Sequence, residues 1–143
     1  MYVLILEKRI SAKIEDRGKS PPDWYVLLAV ALPFEPSVGF EIQLKGKRTT
    51  KLTRVVYNPD DMTFWAKVPS VHHPRPDAQS VAQNLVDVAG WDIAVDATAL
   101  EDAMKVLHKK AMAKLQQALI QAQLKMMPAF TQLRQPPGSK RRH

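Results

Sequence analysis

The residues of this 143-residue chain with the means to do chemistry are few and scattered. His72 and His73 stand side by side in a proline-rich stretch with Asp77 close behind, and adjacent imidazoles are able to ligate a metal. A second ligand cluster at suitable spacing is missing, because His108 falls in a helical pattern and His143 is the last residue. Asp60 and Asp61 form a carboxylate pair, but general acid–base work needs a carboxylate held in a pocket. Here the pair sits in Asn58-Pro59-Asp60-Asp61, where aspartate is favoured for backbone reasons. Gly18-Lys19-Ser20 resembles the end of a phosphate loop, yet the upstream glycine is absent and Pro21-Pro22 stand where a helix should begin. With no cysteine there is no thiolate nucleophile, disulfide or Cys-ligated metal. No nucleophile setting or cofactor fingerprint is present. The expectation is a non-enzymatic protein without catalytic, cofactor or metal residues.

What remains is charge and where it lies. The chain carries 21 Lys and Arg against 14 Asp and Glu, a net of +7. No acidic residue follows Asp102. Residues 103–143 hold nine basic residues: Lys105, Lys109, Lys110, Lys114, Lys125, Arg134, Lys140, Arg141 and Arg142. The other 12 share residues 1–102 with all 14 acidic ones, so the basic excess is confined to the last third. Such a region offers a contact surface for nucleic acid or an acidic protein. The plainer reading is a solvated lysine face.

A second basic cluster, Lys45, Lys47, Arg48, Lys51 and Arg54, falls in ten residues. It could grip phosphates, with Trp65 and Tyr57 on neighbouring strands as stacking platforms for bases. Edge lysines that discourage strand-to-strand aggregation, and aromatics in cross-strand pairs, are the structural alternative. The terminal Lys140-Arg141-Arg142 resembles a basic arm.

These residues depend on the elements that carry them. Residues 2–14 read as a strand. Residues 24–32 are apolar on both faces, as in a central, doubly covered strand. Phe40, Ile42 and Leu44 alternate with polar residues. Residues 51–57 and 62–68 flank the Asn58-Pro59-Asp60-Asp61 turn, the clearest hairpin signal in the chain. Residues 69–76 form a proline-rich link, Asp77 caps a short helix ended by Gly90, and residues 91–96 suggest an edge strand.

A long helix over 98–127 follows. Thr98 and Glu101 have the spacing of a capping box, no Gly or Pro intervenes, and Pro128 supplies a stop. Its apolar stripe, Leu100, Met104, Leu107, Ala111, Leu115, Ala118 or Leu119, Ala122 and Met126, steps by three and four. Leu107, Ala111, Leu115, Leu119 and Ala122 are therefore the candidate oligomer interface.

The predicted architecture is α+β: an antiparallel sheet of about five strands over 2–68, then a short helix, a long C-terminal helix and a basic tail. A single domain over 1–135 with a flexible tail at 136–143 is expected. One sheet face would be covered by the helices, and the other would gather Trp65, Lys67, Lys45 and Gln43. The longest apolar run, 24–34, is too short to span a membrane. Glu7, Lys8 and Arg9 interrupt any signal-peptide pattern, so an intracellular or assembly-bound setting is the default expectation.

Two functions fit. One is a binding module whose basic C-terminal helix and tail contact nucleic acid or another anionic partner. The other is a structural subunit of a larger assembly, such as a virion, a phage or a secretion device, that oligomerises through the long helix.

Overall fold

The computed structural model describes residues 1–12, 23–44, 48–73 and 77–134. The chain divides into two units, Met1–Ala111 and Met112–His143. The boundary expected at 135/136 lies outside the described residues.

The first unit is α+β. Its strands are β1 (Tyr2–Ala12), β2 (Trp24–Leu32), β3 (Glu41–Gln43), β4 (Thr49–Lys51), β5 (Arg54–Asn58), β6 (Thr63–Lys67), β7 (Val71–His73) and β8 (Ile93–Asp96). The helices are α1 (Ala78–Asp87) and α2 (Leu100–Arg134), whose first residues, 100–111, belong to this unit. The main sheet runs β5-β6-β1-β2-β8, with β7 also paired to β1; β3 and β4 form a separate two-stranded ribbon.

Three features go beyond the expected antiparallel sheet. β1 is the central strand, and β2, flanked by β1 and β8 with Val26 and Leu27 buried on opposite faces, is interior as its sequence suggested. β6 and β7 pair with successive stretches of β1 in parallel, so the sheet is mixed. The proline-rich link thus contributes a strand, since its residues 71–73 supply backbone partners to Ile10, Ser11 and Ala12. The β5–β6 hairpin forms where its turn signal lies. The Asn58 side-chain oxygen accepts from the Asp60 N–H at 3.0 Å, an Asx turn that gives both aspartates a structural setting.

Both faces of the sheet are covered. Pleating sends Leu4, Leu6 and Ile10 of β1 to one side and Val3 and Ile5 to the other, and all five are buried. On the first side they join Val26, Phe64, Ala66 and Val68 under α1, which contributes Ala78 and Ala82, while the ribbon brings Leu52, Ile42 and Leu44. The other side holds Val3, Ile5, Leu27 and Thr63. There Met104 of α2 is buried, and a ring nitrogen of His108 is hydrogen-bonded to the Thr63 hydroxyl. The two helices therefore take opposite faces, where the sequence had suggested one. The reason is in β1 itself: a run of four consecutive apolar residues, Val3 to Leu6, needs cover on both sides.

Helix ends follow local chemistry. Asp77 caps α1 by accepting from the Ser80 N–H at 3.1 Å. Gly90, at φ +84°, turns the chain back, and the Trp91 N–H closes on the Leu85 carbonyl at 3.3 Å. That turn delivers Trp91 into the core.

At α2 the expected Thr98–Glu101 capping box gives way to Asp96. Its carboxylate accepts from the Thr98 hydroxyl at 2.6 Å and from the Ala99 N–H at 3.1 Å. A charged acceptor makes the stronger hydrogen bonds to both donors. The helix also continues past Pro128 to Arg134. A proline inside a helix forfeits its own N–H bond and crowds the preceding turn, at about 3 kcal/mol, without obliging the helix to end.

The second unit, in its described residues, is the remainder of α2 from Met112 onward.

Candidate partner interface

The basic cluster of the ribbon and hairpin is only partly assembled. Arg48, Lys51 and Arg54 are exposed, while Lys45 and Lys47 lie outside the described residues. Glu41 stands directly across β3–β4 from Lys51, which offsets that charge. Arg54 stands across from Lys67, and Lys67 approaches the Glu7 carboxylate at 3.7 Å.

The two aromatics proposed as a stacking platform point opposite ways. Tyr57 pairs with Phe64 and lies on the α1 side, its ring 4.8 Å from that of Phe64. Trp65 pairs with Val56 and lies on the α2 side with Lys67. The two are adjacent in strand order but one residue out of phase, and a period of two separates their faces. Gln43 belongs to the ribbon rather than the main sheet, and Lys45 lies outside the described residues, so the expected grouping with Trp65 and Lys67 does not form.

His72 is exposed on β7, and His108 is engaged with Thr63. Among the described residues no group of three His, Asp or Glu residues is arranged to hold a metal ion.

Two side chains near the sheet carry shifted ionisation. Burial lowers the pKa of the Lys8 amine, which shares a sheet face with Leu6 and Ile10. Burial, and then the Asp23 carboxylate, push the Tyr25 phenol up.

On α2, in the first unit, Lys105 pairs with Glu101 at 3.4 Å one turn back, while Lys109 and Lys110 are exposed. Leu107 and Ala111 are half-buried there, so these two predicted interface residues already have neighbours within their own unit.

The second unit is different. Leu115 is half-buried, but every residue from 116 to 126 is exposed, including the predicted interface residues Leu119 and Ala122. Leu119 is 54% exposed, Ile120 55%, Leu124 56% and Met126 66%. Ile120 and Leu124 lie off the predicted stripe. At about 100° per residue, Ile120 is a quarter-turn beyond Leu119. The sequence signal for them is the absence of charge from Leu115 to Leu124, between Lys114 and Lys125. Lys114 and Lys125 are exposed, whereas Lys140, Arg141 and Arg142 lie outside the described residues.

Among the described residues no helix is long and apolar enough to cross a membrane. No protein-family model, curated protein or solved structure matches this chain.

Proposed function

We propose that this protein is a non-enzymatic binding module that docks a protein partner with an anionic surface on the second half of α2, as a subunit of a larger assembly. The observation that carries this reading is the exposure of Leu119, Ile120 and Leu124 on one uncharged stretch bracketed by Lys114 and Lys125, with Met126 exposed just beyond it. Full burial of such a side chain contributes about 1.5–3 kcal/mol, and these are roughly half-exposed. Covering Leu119 together with Leu115, Ala122 and Met126 on its face is worth a few kcal/mol, more than a surface lysine pair supplies. The basic residues add steering and selectivity toward anionic partners. Nucleic acid would engage the lysines but offer its phosphates to leucine and isoleucine.

The test compares the full chain with its Leu119→Asp/Leu124→Asp variant. Light scattering over a concentration series is combined with affinity purification from the native host. The wild type should form a complex with another protein that the variant loses while its helical circular dichroism persists. Identical masses and partners for both would sink the reading. Binding to labelled single-stranded DNA that ignores Leu119→Asp/Leu124→Asp but fails in Lys114→Glu/Lys125→Glu would transfer the function to nucleic acid.

A further inference from the structure

We infer that the occupant of this surface is an acidic, apolar-striped helix of another protein; the inference rests on the reading of residues 112–126 as a docking surface and names the partner.

Spacing indicates a helix. Leu115, Leu119, Ala122 and Met126 step by four, three and four, the spacing of a seam that interlocks with a second helix. Ala118 and Ala122 are small enough for close approach. Gln116 and Gln123 line one flank of the seam and Lys125 the other, giving donors for carboxylates. Ile120 and Leu124 form a second pair one turn apart, on the side of the helix away from the seam.

Charge selects the partner's sign. The unit from Met112 onward contains Lys114, Lys125, Arg134, Lys140, Arg141 and Arg142 and no acidic residue. A second copy pairing through the same segment would bring two lysine-bearing helices together with no carboxylate to neutralise them. Like charges across an interface are strongly unfavourable. A helix with glutamates beside a Leu or Ile stripe satisfies both the seam and its flanks.

The experiment uses the full chain and fluorescence anisotropy. The probes are a labelled peptide of about four heptads with Leu at the seam and Glu on the flanks, the same peptide with Lys on the flanks, and the Glu peptide with Gln at the seam. A labelled single-stranded oligonucleotide is titrated in parallel, and light scattering reports self-association.

The Leu/Glu peptide should bind at least about tenfold more tightly than either control peptide, a difference of about 1.4 kcal/mol. Leu119→Gln, which retains helix propensity, and Lys125→Glu should each weaken it several-fold. Equal binding of the Gln-seam peptide, or indifference to Leu119→Gln, would overturn the inference by reducing the contact to charge alone. Failure of the Leu/Glu peptide alongside a Leu119-dependent dimer would overturn it as well, leaving the docking surface intact with a second copy as occupant. Oligonucleotide binding in place of peptide binding would replace the partner with nucleic acid. A monomer that binds none of the probes would remove both the inference and the docking reading.

Discussion

The hydroxyl of Thr63, fully buried in the sheet, is hydrogen-bonded to Nε2 of His108 on α2. The same hydroxyl lies within hydrogen-bond distance of the Asp61 carbonyl, at 3.1 Å. One threonine thus ties the β5–β6 turn to the helix that covers this face.

Thr63→Val should leave the half-buried His108 ring and the Asp61 carbonyl without this partner. The expected cost is about 1 kcal/mol, the usual net worth of a hydrogen bond. Thr63→Ser should retain most of the stability. In urea denaturation, Thr63→Val and His108→Leu should be non-additive, with a coupling of roughly 0.5–3 kcal/mol. Additive losses would show that the pair does not interact.

The two-sided cover of β1 makes a second claim about stability. Leu4 and Ile5 are adjacent, face opposite ways and are both fully buried. Leu4→Ala and Ile5→Ala should each cost about 2–5 kcal/mol, as buried aliphatic truncations do. A sheet covered on one side only would give one large loss and one near zero. Equilibrium unfolding of the two variants separates these outcomes.

That two-sidedness also marks the limit of what the sequence disclosed. The hairpin at 54–67, the helix cap at Asp77 and the edge strand at 93–96 depend on residues close in sequence, and each was legible. The parallel pairing of β6 and β7 with β1 joins residues about 60 apart, for which no local pattern exists. The faces of Tyr57 and Trp65 depended on register, which a shift of one residue inverts. The interface on α2 was half legible. Its stripe was visible, but where burial stops along the helix was not, because Leu107 and Leu119 look alike until their neighbours are known.

Acid should act through the helix caps. The Asp77 carboxylate accepts from the Ser80 hydroxyl and N–H, and the Asp96 carboxylate from the Thr98 hydroxyl and the Ala99 N–H; in each case the hydroxyl bond, then the backbone bond, holds the pKa below the ordinary value. A carboxylate depressed in the fold contributes stability that is present above its unfolded value, about 3.9, and lost as pH falls through the folded value. Stability should therefore decline below about pH 4. Asp77→Asn and Asp96→Asn should flatten that decline while lowering stability at pH 7, as a stability–pH series would show. An unchanged acid limb in both variants would remove the caps as its cause.

Lys8 should behave in the opposite sense to a structural cation. Its amine shares a face with Leu6 and Ile10, and burial lowers its pKa. For a base depressed in the fold, the charged form is the costly one. Below the folded pKa the lysine is charged in both states and the folded protein bears the desolvation penalty. As pH rises from the folded value toward 10.5, the folded state gives up its proton first and the penalty is relieved. Lys8→Met keeps the length of the stem and removes the charge. It should raise the thermal midpoint at pH 7, and the gain should shrink as pH approaches 10. A midpoint that falls on Lys8→Met at pH 7 would show instead that the ammonium has a stabilising partner in the fold.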